Sequence, residues 1–191
     1  MAGQVGVALP NDFSNIEGTG SISGVTLRDL DLATSAAYGA KVGYFFDSVK
    51  WLGVETEFYH ANPHIKQQQV TACFAGVCES VVSSGAHMRV RTVAFNLIAR
   101  YPGEQFQPYA GVGLGLFFAK ISDETGSAKD TAPGLNVVVG SRFFLSKSVA
   151  LFGEYKYNRA SFKFDNAFDT GAGLKGDYSA NLFVFGVGYH F

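Results

Sequence analysis

The chain has 191 residues, enough for one domain, and only 16% of them are charged, against about a quarter in ordinary soluble domains. Its composition is 47% hydrophobic and 15% aromatic, with a formal net charge of -1, which excludes both a broad basic field for nucleic acid or anionic lipid and an acidic solvating tail. The longest apolar run, Tyr109 to Ala119, is too short and too interrupted by glycine for a membrane helix, which needs about 18 apolar residues.

Met1-Ala2-Gly3-Gln4 lacks the basic and apolar regions of a signal peptide, so such a segment is expected to be absent or already removed, with Ala2 opening the mature chain. Gly3 to Leu9 is the first and shortest predicted strand. A long polar loop follows near 10–34, carrying Phe13, Ile16, Ile22, Val25 and Leu30 among Gly, Ser and Asp. Tyr38 to Phe46 alternates with Lys41 among glycines on one face, and Trp51 to His60 sets Leu52, Val54, Thr56 and Phe58 against Gly53, Glu55, Glu57 and Tyr59. The second long loop, near 61–86, holds Cys73, Cys78 and Gln67-Gln68-Gln69.

Beyond it the period of two persists. Thr92 to Tyr101 places Ala94, Asn96, Ile98 and Arg100 opposite Val93, Phe95, Leu97, Ala99 and Tyr101. Tyr109 to Ala119 opposes Ala110, Val112, Leu114, Leu116 and Phe118 to a mostly glycine face. Leu135 to Phe144 carries Asn136 and Arg142, and Val149 to Asn158 carries Glu154 and Lys156. The last strand, Tyr178 to Phe191, puts Phe183, Phe185, Val187, Tyr189 and Phe191 on one face. Two further loops are expected near 122–131 and 163–177.

Short turns near 47–50, 102–105 and 145–148 alternate with these long loops, the habit of outer-membrane barrels, whose turns are periplasmic; both termini are then expected in the periplasm. Alternation alone would also suit a soluble barrel with a greasy interior. Eight strands, however, enclose a space only just wide enough for side chains, and Phe, Tyr and Leu from every strand would overfill it. The expected fold is therefore all-β, a single-domain eight-stranded antiparallel up-and-down transmembrane β-barrel with its large apolar face toward lipid. An Arg or Lys at mid-depth on that face would cost roughly 2 to 4 kcal/mol, and Arg91, Lys120 and Arg159 fall only toward the loop ends. Lys41, Glu55, Glu57, Arg100, Arg142, Glu154 and Lys156 then point inward, where unpaired charge is expensive, so an interlocked network is expected. It reads either as a structural plug or as an ion-conducting gate.

Trp51-Leu52-Gly53-Val54-Glu55, Ala99-Arg100-Tyr101-Pro102, the run Pro108 to Gly115, Glu154-Tyr155-Lys156-Tyr157 and the ending Phe185 to Phe191, in this order and spacing, resemble the outer-membrane β-barrel family of OmpA-like and OmpX-like surface antigens. The resemblance spans roughly residues 36 to 191 and is absent from the long loops. It implies that Phe185, Val187, Tyr189 and Phe191 serve as the signal read by the barrel-assembly machinery; the alternative is ordinary membership of the lipid-facing aromatic girdle. The peptidoglycan-binding domain of full OmpA-like proteins is not expected here, and with it no cell-wall tether.

Gly111-Val112-Gly113-Leu114-Gly115 is not a dinucleotide loop, because the third glycine of that fingerprint falls on Leu116 and no helix follows. Cys73 and Cys78 are expected to form a disulfide, with free thiols or metal binding as the alternatives; closing so short a loop contributes about 2 kcal/mol or less. His60, His64 and His87 lie near them without metal-site spacing, and neither metal nor cofactor is expected. A lipid-modifying enzyme at the outer rim would need a histidine within reach of a serine; His87 near Ser83 and Ser84 is the one candidate, and the chain is read as non-enzymatic. Expected partners are outer-membrane lipid and lipopolysaccharide, the assembly machinery, and an extracellular or envelope protein met by the loops; no nucleic acid is expected. The function expected is structural and surface-interacting, with a narrow porin-like channel as the alternative.

Overall fold

A computed structural model describes residues 1–11, 13–27, 30–74, 77–83, 85–122, 126–167 and 171–191. Eight strands form a closed ring: β1 (Ala2–Pro10), β2 (Ser35–Phe45), β3 (Leu52–Ala61), β4 (Ala86–Arg100), β5 (Phe106–Ser122), β6 (Ser127–Phe144), β7 (Val149–Ala167) and β8 (Ala172–Tyr189). Each pairs antiparallel with the next, and β8 returns to β1 from Ala2↔Gly188 to Pro10↔Ala180. Closure leaves the membrane-spanning backbone no open edge, as a sheet in hydrocarbon requires.

The alternation predicted from sequence sorts the faces. Val5, Tyr38, Val54, Phe95, Leu114, Val139 and Phe185 are exposed on the outer wall, while Lys41, Glu57, Asn96, Asn136 and Lys156 are buried inside. Glycine on the inner face makes room for its neighbours: a Cβ on Gly134 would lie 2.7 Å from the Phe117 ring, and one on Gly140 2.8 Å from Glu154 Cγ.

The wall is uneven. β1 to β3 have 9, 11 and 10 residues, about what a bilayer needs, whereas β5 to β8 have 17 to 19. The expected loops near 122–131 and 163–177 are therefore mostly strand: the β5–β6 ladder runs on to Ser122↔Ser127 and the β7–β8 ladder to Ala167↔Ala172. Between these two hairpins the β6–β7 ladder stops at Gly134↔Ala160, next to Pro133, which has no N–H to donate. Beyond that point the Lys163 N–H donates to Asp130 Oδ2 at 2.6 Å across the gap.

The first two loops also contain strand. Ser14–Gly20 takes the place of β1 along the upper part of β8, and Val25–Leu27 pairs with it. Val25–Leu27 pairs in turn with Gln68–Phe74, which forms a hairpin with Val77–Ser83. Loops one and two are thus one sheet continuous with the barrel wall.

Candidate functional site

The lumen is the first place to look, because β1 to β7 each send polar side chains into it. Glu57 on β3 lies at the centre. Its Oε1 accepts from Asn96 Nδ2 at 3.0 Å and Asn136 Nδ2 at 2.7 Å; its Oε2 accepts from Gln4 Nε2 at 3.4 Å and pairs closely with Lys156. Lys156 Nζ also donates to Gln4 Oε1 at 3.2 Å and lies 3.2 Å from Glu154 Oε2, near enough for ion pairing but poorly aligned for a hydrogen bond. Glu154 Oε1 accepts from the Tyr109 hydroxyl at 2.5 Å and pairs closely with Lys41, which reaches Glu55 Oε2 at 3.2 Å. The side chains of Glu57, Glu154 and Lys156 are fully buried, so this pairing takes place without water screening.

Five of the seven charged residues expected in the network therefore form one connected cluster. Arg100 and Arg142 do not join it. Arg100 donates to Lys50 O at 2.9 Å and Gln107 Oε1 at 3.3 Å, and its guanidinium stacks 3.7 Å from the Phe45 ring centre. Arg142 lies over Tyr109 at 5.0 Å, and among the described residues neither arginine meets a carboxylate within ion-pair distance. The reason is position: both sit at the turn end, in a mouth pocket of about 330 Å³, where aromatic faces are the nearest partners. Lys41 and Glu55 form the floor of that pocket.

Toward the loop end the lumen changes character, which the sequence reading does not anticipate. Phe117, Phe162, Phe164, Tyr178, Met88, Ile16, Leu182 and Phe13 pack into an apolar layer. The Tyr59 hydroxyl, donating to Asn158 Oδ1 at 2.7 Å, joins the two layers. The signal was present in the alternation of Phe162 and Phe164 with Ser161, Lys163 and Asp165, a strand pattern that runs on into the loop expected near 163–177.

At the loop end Cys73 and Cys78 face each other across the hairpin and are disulfide-bonded. Phe74 and Val77, at the hairpin tip, are 59% and 67% exposed. His87 Nδ1 lies 3.1 Å from His64 Nδ1 on the neighbouring segment. Ser84, one of its two expected serine partners, lies outside the described residues, as does the side chain of Ser83. His60 stacks edge-on against Tyr38 instead. Among the described residues no group of three or more His, Cys, Asp or Glu gathers as metal ligands would.

Residues 2–191 match the outer membrane protein beta-barrel domain. The chain belongs to that family. Among solved structures, the family member resembles Neisserial surface protein A at 16% identity and a TM-score of 0.60, with 99% of this chain and 96% of that one covered. It also resembles the outer membrane protein OprG of Pseudomonas aeruginosa at 16% identity and a TM-score of 0.64, covering 100% and 94%. At such identity the likeness establishes the fold alone. No curated protein sequence matches significantly. In this barrel Phe185, Val187 and Tyr189 are exposed on the outer face of β8, with Phe191 just beyond it.

Proposed function

We propose that this outer-membrane barrel is a structural and surface-interacting protein, with a closed lumen and the sheet of loops one and two presented to the outside. The observation that carries this reading is the filling of the lumen by two consecutive layers, one of paired charge and one of apolar side chains, both fully buried at their centres. A conducting pore needs a continuous polar path, and an apolar layer opposes ion passage by excluding water. The exposed Phe74 and Val77, carried on a disulfide-locked hairpin, suit contact with an extracellular or envelope protein. Lipopolysaccharide surrounds the outer half of the wall, and Phe185, Val187, Tyr189 and Phe191 act as the assembly signal.

The short turns lie in the periplasm with both termini, by the rule that outer-membrane barrels carry their longer loops outside. Single cysteines at Lys66→Cys, in loop two, and Lys147→Cys, in the β6–β7 turn, test this with a membrane-impermeant maleimide on intact cells. Labelling of the first alone, with the second reacting only after permeabilisation, is expected. The opposite pattern overturns the orientation.

A further inference from the structure

The near-zero net charge of the chain conceals a local segregation. Arg89, Arg91, Lys120 and Lys129 all project from the outer wall at the loop end of β4, β5 and β6, on the same face as Phe118. Arg89, Lys120 and Lys129 are directly opposite one another across the three strands, through Arg89↔Lys120 and Lys120↔Lys129. Adjacent strands are about 4.8 Å apart, so three like charges occupy a row roughly 10 Å wide. Like charges so placed repel and destabilise a sheet.

The adjoining strands of the wall, β7 and β8, handle their cations differently. There Arg159 lies 3.7 Å from Asp177 and Lys163 3.1 Å from Asp165. Among the described residues no carboxylate lies within ion-pair distance of Arg89, Arg91, Lys120 or Lys129. Asp130 is nearby, but its carboxylate accepts from the Lys163 backbone. The four cations border a pocket of about 370 Å³ with Phe118, Ala119, Asp130 and Thr131. One row toward the turn end, at Arg91↔Phe118↔Thr131, the lipid-facing apolar band begins, with Leu116 and Phe95 exposed below it.

From this arrangement we infer that the Arg89, Arg91, Lys120 and Lys129 patch binds the phosphorylated sugar headgroup of an outer-leaflet glycolipid, with an acyl chain against Phe118. The inference rests on the proposed orientation, which puts this rim in the outer leaflet. Arginine offers a planar fork to phosphate oxygens and lysine a point charge, and both strengthen where the apolar wall excludes water. A ligand with phosphate above and hydrocarbon below matches the order of side chains along β5, with Lys120 above Phe118 and Leu116.

The test is native mass spectrometry of the detergent-solubilised full chain with diphosphoryl lipid A, the same lipid lacking both phosphates, and inorganic phosphate as competitor. The Arg89→Gln, Lys120→Gln, Lys129→Gln variant is expected to lose affinity for diphosphoryl lipid A by about 10-fold or more. The control Arg159→Gln, Lys163→Gln, Lys175→Gln is expected to bind as wild type does. Heat-modifiable migration on gels reports whether each variant is folded, and Lys129→Gln alone, expected to weaken binding by a smaller factor, replaces a triple variant that is not. Equal retention of the two lipids, equal loss in both variants, or displacement by millimolar inorganic phosphate overturns the inference. Failure of the orientation would show instead in the maleimide labelling, which this binding assay does not touch.

Discussion

Glu57 and Lys156 are each fully buried, and each satisfies the other's charge. Removing one partner leaves an uncompensated charge in the lumen, so Glu57→Leu or Lys156→Met alone is expected to destabilise the barrel by about 3 to 5 kcal/mol. The double variant is expected to recover most of that loss. Urea unfolding in lipid vesicles reads the cycle, and simple additivity of the two single effects would contradict direct pairing. His190, just past the end of β8 at the turn end, behaves differently. Its imidazole is held down to about 4 by burial, with Arg142, the chain's amino terminus and Arg100 adding to the effect. The unfolded chain takes up this proton near pH 6.5, so the neutral side chain's contribution to stability is complete above that value and is lost as pH falls through about 4. NMR titration of the His190 ring in micelles should show no protonation until well below pH 6, and a midpoint near 6.5 would refute the burial argument.

Among the elements, β5 to β8 are the tall side of the wall, and inner glycines allow their packing. Gly134→Val is expected to cost about 1 to 3 kcal/mol, because the added carbon meets Phe117, Ala160 and the Arg159 carbonyl. Gly3→Val, with nothing within 4 Å of the new carbon, should be silent in the same unfolding assay. The facing of the strands was legible in the sequence, since a one-residue slip would send Glu55 on β3 or Lys156 on β7 to lipid and Phe95 on β4 inward. Their upper ends were not. Polar residues such as Lys163 and Asp165 look like loop once the strand rises past the apolar band, although Phe162 and Phe164 keep the inward alternation. The joining of Val25–Leu27 to Gln68–Phe74 was illegible for another reason: it depends on two segments distant in sequence pairing with each other, and neither carries a local sign of its partner. The network's membership was legible in part. Inward direction followed from alternation, but the depth that separates Arg100 and Arg142 from the carboxylates depends on strand stagger, which no single strand reveals.

For the whole molecule, the lumen combines two ways of closing a narrow barrel, a cross-linked layer of charge and an apolar layer above it. Each depends on the other. The apolar layer withholds water from the loop end and so strengthens the ion pairs beneath, while those pairs tie β2, β3 and β7 together across the lumen. The outer wall then contributes the lipid contacts, and the loop sheet the exposed surface.

The claim that this barrel is closed is tested most directly by single-channel recording of the refolded protein in a planar bilayer, beside a Glu55→Ala, Glu57→Ala variant. Wild type and variant are both predicted to be silent once insertion is demonstrated, because the layer around Phe117, Phe162 and Phe164 stays shut when the charges below it are removed. Discrete wild-type openings that the double substitution alters would contradict closure and make the charged layer a gate.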